Sequence, residues 1–520
     1  MFSRLTIAQI AFSVVLAIVG VFLVLLATRE YGPGVSSDSA FYLSSAENFA
    51  NGRGFVNFEG SPLVDWPPLY PFVLGVIYKL TGTNVLQAGR YLNALFFGLS
   101  VITSSLLFKL CFIDRSLWFY LGTAATFLFL PLLTMGTNIG TDLIFFWIEA
   151  VFFLAASNFL VKKTGNAILI LSIISACAAM FRWVGYLMIL VEIILIFIVY
   201  RKTIKKALLY SFVFGGLAAL PFIAWVVGRN YFLYNTFFGL RDTTMVSIPG
   251  NIVLTFARVN HWIFPLSFTQ LLPPIIIWSV FLLVLLAINR KKDWIRWAKR
   301  WLKAYFLPIP LLSIFYYLFI TLTIYTGDHA MSDLYDDRYQ SLFFFVVFIG
   351  IFVSMDELVL AHIKDRKKLA DLIIATLFII WSVFPINLMY DFIKYSLEDG
   401  VVAYNNYNTR ALNHSGLVEF LRTYHFDDDL PIYTNYGEAV YLFTGLQTES
   451  SPKDLQSYTA VPEHVPQQLT TWPPQPAAYF IWFESVEKRK YFSPKNLRQV
   501  SLMELLYNGE QGQVLVVTPK

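Results

Sequence analysis

Charge is scarce in this 520-residue sequence: Asp, Glu, Lys and Arg make up only 14% of it, against about 25% in a typical soluble domain. Hydrophobic residues make up 57%, and the mean hydropathy is +0.59. A single soluble domain is therefore excluded, and we expect the long apolar runs to lie in lipid.

Cysteine is nearly absent as well. The two cysteines, Cys111 and Cys177, lie inside apolar runs without metal-ligand spacing. This pattern excludes a disulfide framework and predicts two buried structural thiols. The sequence also lacks a P-loop, a G-x-G-x-x-G fingerprint, an H-E-x-x-H motif and a G-x-S-x-G element, which removes the enzyme classes that depend on them.

The apolar runs predict a polytopic α-helical membrane protein with about eleven transmembrane helices, because a bilayer core requires about 20 helical residues. A further apolar run, Leu69–Leu80, is too short to span and predicts an interfacial or re-entrant helix. The predicted spans are Thr6–Thr28, Ala88–Leu110, Leu117–Met135, Leu143–Leu160, Ala167–Phe181, Trp183–Tyr200, Ala207–Val227, Leu272–Ile288, Tyr305–Tyr325, Ser341–Val353 and Leu372–Leu388.

Basic residues concentrate in alternate loops, which predicts that those loops are cytoplasmic. They include Lys162-Lys163, the Arg201 to Lys206 stretch, Arg290 to Lys303, and Lys364 to Lys368. The first apolar run then acts as a retained anchor with a cytoplasmic N-terminus. The net charge of +5 reflects this loop bias, so no nucleic-acid partner is expected.

The composition also divides the chain. We predict a transmembrane domain over residues 1–388, with a long first outward loop at 29–87. Residues 389–520 are polar and proline-rich, and they contain short strand-like runs at Ile432–Thr434, Ala477–Phe483 and Gln513–Thr518. Such runs among helix-like segments predict a C-terminal α/β domain outside the membrane.

Two acidic residues near the predicted outer surface are candidates for chemistry. Asp38, shortly after the first span, could serve as a general base. Alternatively, Ser37 or Asp38 caps the helix that follows. Asp142 begins the fourth span, where the helix dipole alone could account for it. Glu149 lies two turns deeper, and a carboxylate at membrane depth favours a functional role or a pairing with an arginine.

Three arginines, Arg90, Arg182 and Arg338, fall at the outward ends of predicted spans. Singly, each could extend to lipid headgroups. Together they indicate a phosphate-binding site, because guanidinium groups bind phosphate through two parallel hydrogen bonds. The acidic loop before Arg338 contains His329 and Asp333, which are candidate ligands for a divalent cation. An ordinary solvated acidic loop is the alternative.

Five elements occur in order along the chain: Asp38, Pro67-Pro68-Leu69-Tyr70, Ala88-Gly89-Arg90-Tyr91, Thr141-Asp142 and Arg338-Tyr339. They resemble motifs of the GT-C superfamily of membrane glycosyltransferases, in the bacterial branch related to protein O-mannosyltransferases and aminoarabinose transferases. The resemblance covers the membrane region and, more weakly, the segment Tyr433–Gly437. Trp66 stands where many members have histidine, no second acid adjoins Asp38, and the usual proline after Arg338-Tyr339 is missing.

The resemblance implies a polyprenyl-phosphate-linked sugar as donor, undecaprenyl or dolichyl phosphate being such carriers. The acceptor is a hydroxyl of a glycan, lipid or protein, and the transfer of a hexose or pentose inverts the anomeric carbon. It further implies a catalytic role for Asp38 and Asp142. Donor phosphate binding is expected from Arg90, Arg182, Arg338 and Tyr339, and substrate binding from Asp65, Tyr70 and Glu149. No cofactor follows beyond the candidate cation.

Two other functions remain compatible with the residues. A lipid or sugar flippase would carry charges near mid-membrane and an inverted repeat, whereas no repeat is evident here and the charges cluster at one face. A glycan polymerase or ligase would use a diphosphate-linked donor. The number of phosphates on the donor therefore distinguishes it from a transferase that uses a polyprenyl-monophosphate sugar.

Overall fold

The computed structural model describes residues 5–238, 248–265, 274–325, 337–360, 366–401, 406–452, 469, 472–484 and 491–520. The chain forms two compact units. The first contains Met1–Ala27, Val64–Tyr70 and Arg90–Lys394, and the second contains Thr28–Leu63, Pro71–Gly89 and Tyr395–Lys520. The predicted domain boundary after residue 388 stays a prediction.

Helices account for most of the described chain up to residue 399. They are Ile7–Ala27, Ser37–Ala50, Leu69–Thr81, Val85–Cys111, Ser116–Phe127, Leu130–Thr137, Asp142–Lys162, Gly165–Phe181, Tyr186–Tyr200, Ile204–Tyr234, Ile248–His261, Pro274–Ile288, Lys291–Trp301, Pro308–Tyr325, Asp337–Gln340, Phe344–Ser354 and Lys367–Asp399.

The helices confirm a multi-pass membrane protein. Among the described residues, seven helices are long and apolar enough to cross a bilayer. The predicted span Leu117–Met135 is instead two helices bent by 43°, and counting this pair gives up to eight spans. Pro131 lies at the beginning of the second helix of the pair, where its missing N–H is tolerated. Three further predicted spans are apolar helices of 10–17 residues, so the number eleven stays a prediction.

The expectation of two buried cysteines is half right. Cys111 is buried, but Cys177 is exposed. Cys177 shares an exposed helix face with Ile170 and Ile173, which are 50% and 53% exposed. In a membrane protein an apolar run does not reveal which side packs against protein, because lipid accepts apolar side chains equally well.

The second unit contains a five-stranded sheet of order β2-β1-β3-β5-β4. Strands β1 and β2 run parallel, as do β1 and β3, whereas β5 is antiparallel to both β3 and β4. The three predicted strand-like runs correspond to β1, β3 and β5, while β2 and β4 were not predicted. The strands are β1 Ile432–Thr434, β2 Glu449–Ser450, β3 Ala478–Phe483, β4 Ser501–Gly509 and β5 Gly512–Pro519.

All six residues of β3 are buried, because both faces of the sheet are covered. Tyr479, Ile481 and Phe483 face one apolar cluster with helices Gly416–Thr423 and Gly437–Thr444. The alternate residues of β3 face a second cluster that includes Trp472 and Phe492. The α/β character expected of the C-terminal region is thus confirmed.

Candidate active site

A tight turn holds Arg182 in place. Arg182 follows helix Gly165–Phe181 and directly precedes the 3-10 turn Trp183–Gly185. A Cβ atom added at Gly185 would lie 2.2 Å from the carbonyl carbon of Ala178. The chain can therefore reverse here only with glycine at this position, and the reversal fixes the backbone that bears Arg182.

Asp142 is the partner of Arg182. It is the first residue of helix Asp142–Lys162, after Thr141, whose side chain makes no capping hydrogen bond. The Asp142 carboxylate and the Arg182 guanidinium form an ion pair, with side chains 17% and 21% exposed. The favourable interaction with the helix dipole, predicted for Asp142 from its position at the helix start, is therefore accompanied by an ion pair with Arg182.

The ring of Tyr339 lies near two arginines. The Arg182 guanidinium is 5.6 Å from the ring centroid, and the Arg338 guanidinium is 4.8 Å from the same centroid. Arg338 Nη2 also donates a 3.0 Å hydrogen bond to the Tyr339 hydroxyl. Arg182, Arg338, Tyr339 and Asp142 therefore form one cluster. Phosphate binding by this cluster stays a prediction.

Tyr316 contacts this cluster and Gln340 adjoins it in the chain; neither was predicted. The Tyr316 hydroxyl donates a 2.7 Å hydrogen bond to the backbone carbonyl of Tyr339. Its electrostatic neighbours include Arg182, Arg338 and Glu149. Gln340, next to Tyr339 in the chain, is fully buried. Proximity to the Arg338-Tyr339 motif is the only sequence signal that could have indicated Gln340.

The expected pairing of Glu149 with an arginine is wrong as far as the described residues show. Glu149 is 1% exposed, and its Oε2 atom has no hydrogen-bond partner in that part of the chain. Glu149 is also an electrostatic neighbour of the Tyr316 hydroxyl. The reason is that Asp142 already takes Arg182 as its partner.

Arg90 is held differently from the other two arginines. Its Nη2 atom donates a 2.9 Å hydrogen bond to the Leu25 carbonyl. One turn further along the helix, the buried side chain of Asn93 donates to the Asn138 carbonyl at 2.6 Å. Asn93 therefore links the helix of Arg90 to the segment that leads into Asp142, a role that sequence reasoning missed.

The segment Val64–Tyr70 is held within the first unit by hydrogen bonds to its backbone carbonyls. The Trp183 indole donates to the Asp65 carbonyl at 2.8 Å, and the Asn230 amide donates to the Val64 carbonyl at 3.2 Å. The buried hydroxyl of Tyr70 lies near the backbone of Gly140. Asp65 and Tyr70, both predicted to bind substrate, therefore lie close to the turn after Arg182 and to the segment before Asp142, respectively.

In the second unit, Asp38 lies in the first turn of helix Ser37–Ala50. The alternative interpretation, that Ser37 or Asp38 caps this helix, is wrong. Ser36 is the cap, and it forms a reciprocal capping box with Ser39. Because Ser36 and Ser39 already cap the helix, the half-buried carboxylate of Asp38 has no capping role.

Glu438 is a second carboxylate near the beginning of this helix, and it was not predicted. Its Oε1 atom accepts a 2.8 Å hydrogen bond from the Ser37 hydroxyl. Burial, followed by the nearby charge of Glu438, raises the pKa of Tyr407, whose electrostatic neighbours also include Asp38. Glu438 directly follows the segment Tyr433–Gly437 that carries the weak C-terminal resemblance, which was the available signal.

Two further connections fix the same helix within the second unit. The Tyr441 hydroxyl donates to Glu47 Oε2 at 2.9 Å, near the helix end. The chain entering the helix is held by the Asn406 side chain, which accepts from the Val35 amide at 2.9 Å, and by the Tyr407 amide, which donates to the Val35 carbonyl at 2.9 Å. C-terminal residues therefore hold both ends of the helix that carries Asp38.

Metal binding stays a prediction. His329 and Asp333 lie outside the described residues. Among the residues that are described, no group of three or more His, Cys, Asp or Glu side chains is arranged to hold a metal ion.

Comparison with solved structures identifies the fold. The crystal structure of ArnT from Cupriavidus metallidurans bound to undecaprenyl phosphate matches with a TM-score of 0.59 at 12% identity, over 98% of both chains. The apo state of that protein gives a TM-score of 0.56 at 13% identity, again over 98% of each chain. The chain therefore has the fold of ArnT. The fold expected from the motifs is thereby confirmed.

The archaeal oligosaccharyltransferase AglB from Archaeoglobus fulgidus, in complex with an inhibitory peptide and a dolichol-phosphate, also matches. Its TM-score is 0.48 at 11% identity, over 86% of this chain and 65% of that one. No protein-family model matches the sequence, and no curated protein sequence matches it significantly.

Proposed function

We propose that the protein is a glycosyltransferase that moves a hexose or pentose from a polyprenyl-phosphate carrier to an acceptor hydroxyl. The observation that carries this proposal is the cluster of Arg182 and Arg338 around Tyr339. The cluster occurs in a fold shared with an ArnT whose structure was determined with undecaprenyl phosphate bound.

The arginine cluster suits a lipid phosphate because each guanidinium has five N–H donors in a rigid plane. Arg182 can hold Asp142 with one edge and still direct N–H groups toward a phosphate oxygen. Arg338 is aligned by its hydrogen bond to the Tyr339 hydroxyl. Preoriented donors of this kind stabilise charge that develops in the transition state without further reorganisation.

Asp38 acts as the general base in this proposal. The acceptor oxygen attacks the anomeric carbon while its proton passes to the Asp38 carboxylate. The bond from the anomeric carbon to the phosphate oxygen breaks, and its electron pair stays on the departing polyprenyl phosphate. Attack opposite the leaving group inverts the anomeric centre, and Arg182 and Arg338 stabilise the phosphate released.

The remaining predicted residues have supporting roles. Arg90 contributes positive charge toward the phosphate, and Asp142 orients Arg182. Asp65 and Tyr70, fixed through their own segment, contribute to substrate binding. We place the reaction on the outer face of a cell membrane, with the N-terminus cytoplasmic and the C-terminal region outside, as the distribution of basic loops favours. The acceptor is a glycan, a lipid or a protein.

Purified protein in liposomes tests the proposal directly. Radiolabelled sugar on undecaprenyl phosphate should pass to an acceptor in wild-type protein, and Asp38→Asn should lower the rate about 10²–10⁴-fold, as expected for loss of a general base. Glu30→Gln, which changes an exposed acid, is the matched control and should keep the wild-type rate.

Each alternative function gives a distinct result in the same assay. Movement of labelled lipid across the bilayer without sugar transfer would favour a flippase. Transfer from diphosphate-linked donors alone would favour a polymerase or ligase. Near-wild-type turnover by Asp38→Asn would rule out Asp38 as the base. Mass spectrometry of glycolipids and surface glycans with and without the gene would identify the acceptor.

A further inference from the structure

Several buried polar side chains of the first unit have an atom without a hydrogen-bond partner among the residues that the structure describes, and two of them belong to segments that adjoin the arginine cluster. These two are Glu149, at its Oε2 atom, and Gln340, at both atoms of its amide. The two residues are 1% and 0% exposed. Buried polar groups in native proteins are almost always hydrogen-bonded, so these atoms point to a polar ligand.

Both residues lie next to the arginine cluster. Glu149 follows Asp142 by two turns of the same helix, which places the two carboxylates on one helix face. Gln340 follows Tyr339, whose carbonyl accepts the hydroxyl of Tyr316. Glu149 is in turn an electrostatic neighbour of that hydroxyl. Tyr316 therefore connects Glu149 to the chain segment that carries Gln340.

The chemistry of the two side chains selects among ligands. A carboxylate repels phosphate, so the phosphate belongs with Arg182 and Arg338 rather than with Glu149. An apolar lipid tail would leave three polar atoms unpaired, which is unfavourable. Sugar hydroxyls both donate and accept hydrogen bonds, and a carboxylate with a primary amide offers them acceptors and donors together.

We propose that Glu149 and Gln340 form a subsite that binds the hydroxyl groups of the donor sugar, beside the arginines that bind its phosphate. This inference rests on the proposed function and adds to it. The lipid phosphate and the sugar are then bound by separate sets of side chains, so substitutions can affect one without the other.

Binding measurements on the full-length protein separate the two sets. The probes are undecaprenyl phosphate and the same lipid carrying glucose, arabinose or glucosamine. At least one sugar-bearing lipid should bind wild-type protein about 10-fold more tightly than the bare lipid, as one or two additional hydrogen bonds would allow. Gln340→Met should remove this advantage, and Glu149→Gln should reduce it, because an amide accepts hydrogen bonds less strongly than a carboxylate. Both variants should leave the affinity for undecaprenyl phosphate unchanged.

Glu192→Gln is the matched control. Glu192 is also a fully buried acid of the first unit whose Oε2 atom has no hydrogen-bond partner among the described residues. Its Oε1 atom accepts a hydrogen bond from Ser172, and it makes no described contact with the arginine cluster. Its substitution should change thermal stability and not the preference for a sugar-bearing lipid. If Gln340→Met fails to fold, the lipid-binding comparison for Glu149→Gln alone tests the subsite.

Three results would contradict the subsite. They are an unchanged preference in both variants, an equal loss of affinity for bare and sugar-bearing lipids, and a wild-type protein that binds all the lipids equally. A wild-type protein that binds none of the lipids and transfers no sugar would instead contradict the proposed function itself.

Discussion

Asp142 and Arg182 form an ion pair that joins the beginning of one helix to the turn after the next. Desolvation offsets most of the attraction in such a pair, so it adds little to stability. Its main consequence is orientation: the Arg182 guanidinium is held near Tyr339, while some of its N–H groups stay available to a ligand.

Replacing Arg182 with lysine tests this orientation. Lysine keeps the charge but lacks the planar fork that can bond Asp142 and a phosphate at once. We expect Arg182→Lys to lower kcat/KM for sugar transfer by about 10²-fold, the scale reported for loss of one transition-state donor. Initial rates at varied donor concentration give this value.

Arg296→Lys is the control for that substitution. Arg296 also forms ion pairs, with Asp293 and Glu357, but it is 46% exposed and makes no described contact with the arginine cluster. Its rate should match wild type. If Arg182→Lys also retained the wild-type rate, the fork geometry of Arg182 would have no part in catalysis.

The turn that carries Arg182 gives a second prediction. Gly185→Ala should destabilise the protein by roughly 1–3 kcal/mol, because the added Cβ has no space beside the Ala178 backbone. Sugar transfer should fall with it as Arg182 is displaced. Gly165→Ala, where no atom lies within 4 Å of the added Cβ, should change neither thermal unfolding nor rate. Equal unfolding temperatures for the two variants would contradict the argument.

Local patterns explain what the sequence could predict. Apolar runs gave the helices, because burial in lipid depends on the composition of each segment. The Arg182 position at a turn and the Asp142 position at a helix start followed from the ends of those runs. The buried strand β3, Ala478–Phe483, was also recognisable as a short apolar run between turn residues.

Contacts between residues far apart in the chain could not be predicted from such local patterns. Nothing in the sequence indicates that Tyr316 donates to Tyr339, or that Ser37 donates to Glu438. β4, Ser501–Gly509, was missed because its exposed and buried residues do not alternate regularly; a bulge lies near Leu505. These features depend on which segments come together, which a single sequence does not show.

The hydrogen bond between Ser37 and Glu438 leads to a third prediction. Ser37 precedes Asp38, so loss of the bond should let the first turn of its helix move. We expect Ser37→Ala and Glu438→Met, each of which removes the bond, to lower kcat by about 5- to 10-fold, comparable to one hydrogen bond, with little change in the donor KM. Steady-state kinetics with both substrates measures this.

Tyr441→Phe is the matched control for this prediction. It removes the hydrogen bond to Glu47, near the other end of the same helix, and should lower stability by a similar amount while kcat changes less. If all three variants reduced kcat equally, the effect would reflect general destabilisation. The Ser37–Glu438 bond would then have no specific effect on Asp38.

The last prediction concerns alkaline pH and Tyr407. Burial and the charge of Glu438 raise the Tyr407 pKa above its usual value, so the folded state retains a proton that the unfolded state loses near pH 10. This contribution to stability is fully present below about pH 10 and is lost as pH rises toward the folded-state pKa. The pKa of Tyr433 is likewise raised to about 12, chiefly by burial.

Thermal unfolding of the full-length protein between about pH 9 and 11 should therefore show a falling midpoint. In Tyr407→Phe the fall should be smaller, because phenylalanine has no proton to lose. Tyr395→Phe, at a position 49% exposed, should decline as wild type does. A decline as steep in Tyr407→Phe as in wild type would show that the environment of Tyr407, including Glu438, does not favour its protonated form in the folded protein.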